Sequence, residues 1–150
     1  MASEVKHYPM YYHGVKQVCS NVPPGSPIYA KEIAVGNLIF VSGMTAQDTE
    51  TGVVMVHDIA SQMNVALTKV KMALEEAGSC MDNVIKTLIL LKNPTDYTVM
   101  RRSEVEFYQK YAPLLLEEPP VSTLIHVPQI GSGPEYLVEI EVVAVVSRKK

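Results

Sequence analysis

Apolar and polar positions along the chain change period several times, and each change marks an element. Residues 38–41, Leu-Ile-Phe-Val, form a continuous apolar run bounded by turn residues, the pattern of a buried strand. The run 28–35 precedes it across Gly36-Asn37, so the two together predict a hairpin. A turn around residues 49–52 leads into a short extended piece, 53–56. From Asp58 the period becomes helical: Ile59, Met63, Leu67, Val70, Leu74 and Ala77 recur at three and four and make one apolar stripe. Asp58 is placed to cap this helix and Gly78 to end it.

The second half repeats the alternation. Residues 83–92 read as a strand buried on at least one face, and Pro94 opens a second helix, 95–112, ended by Pro113 and Pro119-Pro120. Two strands, 121–127 and 136–146, finish the chain around a loop holding Gly131-Ser132-Gly133-Pro134. Residues 1–27 read as irregular, with Pro23-Pro24-Gly25-Ser26-Pro27 forcing a turn or extended loop. The order β-β-α-β-α-β-β predicts an α+β fold in one domain, 1–150: a mixed sheet with two helices on one face. The last strand carries Val138, Ile140, Val142 and Ala144 on one side, and Leu137, Val143 and Val145 on the other. A sheet apolar on both faces needs a second cover, and self-association supplies it most simply.

Composition narrows the function classes. Of 150 residues, 47% are hydrophobic and 19% charged, with a mean hydropathy of +0.10, enough apolar material for one core without staples. The net charge of −3 and pI of about 5.8 leave no basic footprint for nucleic acid. No apolar stretch approaches the roughly 18 residues of a membrane span. No apolar leader opens the chain, and Cys19 and Cys80 read as free thiols, so the expected location is cytoplasmic. His7, His13, His57 and His126 lack metal-ligand spacing, so no metal is expected.

Few residues stand out as candidates for chemistry. Glu139 and Glu141 share one face of the last strand, roughly 7 Å apart. They are either solvated carboxylates on an edge strand, the commoner arrangement, or include a carboxylate in a partly dry cleft with raised proton affinity. Arg101 and Arg102 sit mid-helix, as a solvated face with a pair such as Arg102–Glu106, or as a clamp for a carboxylate. His126 reads as structural. Gly131-Ser132-Gly133 is neither a nucleophile elbow nor a phosphate loop, and Cys80 has no basic neighbour to activate it. Tyr8, Tyr11 and Tyr12 fit an interface as well as a ligand.

Four stretches, in order over residues 29–146, resemble one family. Tyr29, Gly36-Asn37 and Ser42-Gly43 are similar to the Tyr…Gly-Asn…Ser-Gly opening of Rid (reactive intermediate deaminase, YjgF-like) proteins. Residues 82–97 resemble their Asp-x-Val-Lys…Asp-Phe segment, Pro119-Pro120-Val121-Ser122 their Pro-Ala-Arg-Ser motif, and Val138-Glu139-Ile140-Glu141 their terminal Ile-Glu-Ile-Glu. The resemblance implies a chorismate-mutase-like fold of the bacillary type and a homotrimer with ligand clefts between subunits. It also implies cofactor-free hydrolysis of small enamines and imines, such as 2-aminoacrylate, to ketoacids and ammonia.

Carried over by position, the cleft residues are Tyr29, Gly43, Arg101, Val121, Thr123 and Glu139, with Glu139 and Tyr29 catalytic and the others binding substrate. Two positions depart from the pattern: Val121 stands where the family has its carboxylate-clamping arginine, and Arg101 where asparagine is common. Valine offers no donor, so either Arg101 supplies the guanidinium from the helix side or the substrate differs. The expected function is a cofactor-free hydrolytic deaminase or related hydrolase acting on a small imine-type metabolite. The competing expectation is a non-catalytic small-molecule-binding or regulatory trimer. Ribonuclease activity, attributed to some family members, ranks third because the chain is acidic and has no basic stripe.

Overall fold

The computed structural model describes residues 1–149. A six-stranded sheet is built from β1 (Val5–Pro9), β4 (Ala30–Val35), β5 (Leu38–Met44), β6 (Val84–Leu91), β7 (Val121–His126) and β8 (Val138–Val145), ordered β1-β4-β5-β8-β6-β7. Only β6 and β7 run parallel, as a helical crossover between them demands. The helices α1 (Ile59–Glu76) and α2 (Tyr97–Tyr111) pack on one face, and a short α3 (Leu114–Glu117) follows. The mixed α+β sheet with two main helices is therefore as the alternation predicts.

The core lies between sheet and helices. Met63, Leu67, Val70 and Leu74 of α1 and Met100 and Phe107 of α2 meet Ile39, Val41, Ile89, Val138, Ile140 and Val142 from the sheet, all buried. Asp58 caps α1 by accepting a bond from the Ser61 N–H at 2.8 Å. At the other end Gly78 takes φ +81°, and the N–H groups of Gly78 and Ser79 return to Glu75 and Leu74.

Residues 1–27 are irregular only in part, and this corrects the sequence reading for residues 5–16, while residues 17–27 hold no helix or strand, as their proline-rich stretch predicts. Val5–Pro9 forms an edge strand antiparallel to β4, and a small hairpin of β2 (Tyr11–Tyr12) and β3 (Val15–Lys16) follows. His13 and Gly14 turn it with φ of 48° and 72°, the paired positive values that a two-residue hairpin of this hand requires. A second correction concerns β8. It is no edge strand but runs between β5 and β6, so its carboxylates rise from the middle of the sheet.

The face away from the helices is uncovered in the single chain. Leu38, Phe40, Ile85, Val121 and Ile125 are all exposed. Register places Glu139 and Ile125 on either side of Leu90, and Val143 and Val121 on either side of Lys86, so all project from this second face.

Candidate active site

One irregularity of the sheet shapes the site. Between Val41 and Met44 the register of β5 against β8 slips, so that Ser42 and Gly43 together face Glu141 alone. Such a bulge bends the strand and re-aims what it carries. Ser42 closes it by donating its hydroxyl to the Ala30 carbonyl at 2.7 Å. The bulge lays the Gly43 backbone against Glu139, whose Oε1 lies 2.0 Å from where a Cβ on Gly43 would stand. Only glycine leaves that space.

A cavity of about 460 Å³ opens here, with Tyr29, Gly43 and Glu139 in its wall beside Tyr12, Lys69 and Tyr136. Three of the six residues carried over by resemblance thus share one cavity. Arg101, Val121 and Thr123 do not line it. Val121 lies four residues along and two strands across from Glu139, roughly 16 Å by strand geometry. Arg101 lies on α2, where its guanidinium donates to Glu104 Oε2 at 2.9 Å and sits 5.4 Å over the Tyr97 ring. Glu104 is buried and also accepts from the Tyr108 hydroxyl at 3.3 Å. The helical pair on α2 is therefore Arg101–Glu104 rather than Arg102–Glu106.

The cavity is electrostatically graded. Burial, and secondarily the charge of Glu141, raises the proton affinity of Glu139, while Lys69 opposes the rise. Tyr29 is half-buried and its hydroxyl bonds that of Tyr12, with the rings edge to face at 6.3 Å. Burial first, and this bond second, push the Tyr29 phenol far up. It stays protonated across the physiological range and acts as a hydrogen-bonding group, not a base. Lys69, from α1, donates to the carbonyls of Thr45 and Gln47, both at 2.9 Å. Burial lowers its ammonium to about 8, against the opposing pull of Asp48 and Glu139, so it remains charged near neutrality.

The cavity floor is pinned to α1 by Gln62. This buried amide donates to Val56 O at 3.0 Å and Glu135 O at 2.8 Å, and accepts from Leu137 N at 2.8 Å. The bonds fix the loop that delivers Tyr136. Of the further lining residues, the sequence singled out Tyr12, as fitting an interface as well as a ligand, but not Lys69 or Tyr136, and His13 only as lacking metal-ligand spacing. Among the described residues no three His, Cys, Asp or Glu side chains gather to hold a metal, and no helix is long and apolar enough to cross a membrane.

Comparison with known proteins agrees with this architecture. Residues 20–146 match the model of the Endoribonuclease L-PSP family. A RutC family protein of Pyrococcus abyssi is 33% identical over 77% of this chain and 84% of its own length. The 2-iminobutanoate/2-iminopropanoate deaminase of Escherichia coli strain K12 is 26% identical, over 83% of this chain and 92% of its own. The crystal structure of the E. coli YjgF gene product superposes with a TM-score of 0.70 at 25% identity, covering 86% of this chain and 96% of that one. An Entamoeba histolytica protein described as a putative endoribonuclease L-PSP superposes at 0.67 with 27% identity, covering 83% and 92%. Met10, Tyr12 and His13, which help line the cavity, precede the matched residues. With the family match spanning most of its length and YjgF and RutC proteins among its relatives, the chain belongs to the Endoribonuclease L-PSP family, the YjgF-like Rid proteins.

Proposed function

We propose that this chain is a cofactor-free hydrolytic deaminase, or a related hydrolase, acting on a small imine or enamine in clefts between the subunits of a homotrimer. The observation that carries the reading is the joint placement of Tyr29, Gly43 and Glu139 on one cavity, with Glu139 held at raised proton affinity. Relatives named as imine deaminases support it. Trimerisation is supported by the uncovered apolar sheet face. In an assembly, Val121 and Thr123 of one subunit, which share the uncovered face, would meet the Glu139 cavity of the next, while Arg101 stays on α2 in its pair with Glu104.

The chemistry needs little. Glu139 takes a proton from water as its oxygen attacks the C=N carbon, and the nitrogen gains a proton. The resulting carbinolamine collapses, the C–N bond breaks, and a carbonyl compound and ammonia leave. Tyr29 holds the substrate by hydrogen bonding, and no oxidant or metal enters the balance. Ammonia release from enzymatically generated imines tests this, with Glu139→Gln as control. Turnover that the variant loses supports the enzyme.

A non-catalytic, small-molecule-binding trimer is the second reading, favoured by Val121, whose exposed side chain offers no donor. Binding without ammonia release would establish it. Ribonuclease activity ranks below both, because the net charge is −3.

A further inference from the structure

We propose that Lys69 is the anion anchor of the cavity, holding the carboxylate of a small organic acid within the same subunit that supplies Glu139. This rests on the deaminase reading for the identity of the reacting group, and it narrows the substrate to an imine that carries a carboxylate.

The case begins with donors. An ammonium has three N–H bonds. Two are committed to the Thr45 and Gln47 carbonyls at 2.9 Å, which fixes the nitrogen against the segment following β5. The third has no acceptor among the described residues. Lys69 is also the sole lysine or arginine in the cavity wall, because Arg101 lies elsewhere and is engaged by Glu104. Glu139 shares the wall, yet the two form no ion pair within 4.0 Å among the described residues. Both groups thus line one cavity of about 460 Å³ without neutralising each other, and the proposal seats the ligand between them.

The same arrangement selects the charge of the ligand. A single carboxylate is matched by one ammonium. A phosphate dianion would meet one cation and the repelling Glu139, without the multiple donors that phosphate sites use. Holding the acid end at Lys69 would leave the C=N carbon toward Glu139 and the Tyr12–Tyr29 pair. Lys69 would thus do from α1 what Val121 cannot do from β7.

The experiment is a binding comparison with the full-length protein in its native assembly, read by calorimetry. The probes are 2-oxobutanoate, its uncharged primary amide, and inorganic phosphate. The wild-type protein should bind the acid about tenfold or more tighter than the amide, the worth of one charge-assisted bond. Phosphate should bind more weakly than the acid. Lys69→Met should bring acid and amide to within about twofold of each other, while Arg101→Ala should keep the preference. Lys69→Gln, which retains N–H donors for the Thr45 and Gln47 carbonyls but no charge, gives the same reading if the methionine variant does not fold.

An acid preference that survives both Lys69 variants, or that disappears in Arg101→Ala instead, overturns the anchor. The reaction is tested separately. Imine turnover that needs Glu139, with acid preference indifferent to Lys69, rejects the anchor alone. Acid preference that needs Lys69, in a protein that releases no ammonia, keeps the anchor and rejects the deaminase.

Discussion

The carboxylate of Glu139 occupies the space that a side chain on Gly43 would claim, its Oε1 only 2.0 Å from the missing Cβ. Gly43→Ala should therefore displace the carboxylate rather than unfold the sheet, since the clash is with the far end of a side chain. Misplacing a catalytic group by about 1 Å is enough for a roughly hundredfold loss. The variant should lose roughly tenfold to hundredfold in ammonia release at nearly unchanged thermal stability. A Gly43→Ala enzyme of wild-type activity would separate Glu139 from the chemistry.

The pH profile should carry the mark of Lys69. In the proposed reaction Glu139 would act as base only when ionised, and burial raises its proton affinity while Lys69 lowers it. Activity should rise with pH through a limb lying above the ordinary carboxylate range. Removing the Lys69 charge should move that limb to still higher pH. The measurement is kcat/KM against pH for wild type and Lys69→Gln, and a limb that stays in place contradicts the coupling.

Glu32 offers a test of stability alone. It is 1% exposed on β4, and neither carboxylate oxygen has a hydrogen-bond partner. Burial pushes its carboxyl up to about 7. The folded state holds this proton more tightly than the unfolded chain does. Its contribution is thus complete below the ordinary carboxylate range and is lost as pH rises toward 7. Glu32→Gln cannot ionise, so its stability relative to wild type should improve between pH 5 and pH 8 by on the order of 2–3 kcal/mol. Chemical denaturation at the two pH values checks this, and a constant difference would mean that Glu32 does not titrate in this window.

Tyr12 and Tyr29 should behave as a unit, because each supplies the other's hydroxyl partner. Tyr12→Phe and Tyr29→Phe should each lower stability by about 1 kcal/mol, and the double variant should cost little more than either. Additive losses in a double-mutant cycle would dissolve the pair.

Phe40 lies exposed on the sheet face opposite the helices. On the trimer proposal the wild type should sediment as three chains and Phe40→Glu as a folded single chain, and the variant should lose turnover, since the second half of each proposed cleft would depart with the neighbour. A wild-type protein that sediments as one chain would end the cleft proposal.

How much of this was legible beforehand follows from what each residue answers to. The α1 stripe from Ile59 to Leu74 and the Leu38–Val41 strand announce themselves, since burial against one partner imposes a period on the sequence. β1 does not, because Val5-Lys6-His7-Tyr8-Pro9 lies at the sheet edge and is specified by pairing with β4 rather than by its own pattern. Tyr29, Gly43 and Glu139 became visible through their motifs. Composition alone favoured solvated edge carboxylates, because strand order is not written in any one strand. Lys69 stayed hidden for a related reason. Its meaning comes from the Thr45 and Gln47 carbonyls, more than twenty residues away, and no local spacing encodes that meeting.

The central position of β8 has an evolutionary corollary. Its even-numbered residues, Val138 to Ala144, are committed to the packed interior, while the intervening odd ones look outward. Replacements at 139, 141 or 143 can therefore retune reactivity without disturbing the residues that hold the fold. A scaffold divided in this way leaves one frame free to vary what its outward rows carry while its inward rows stay packed.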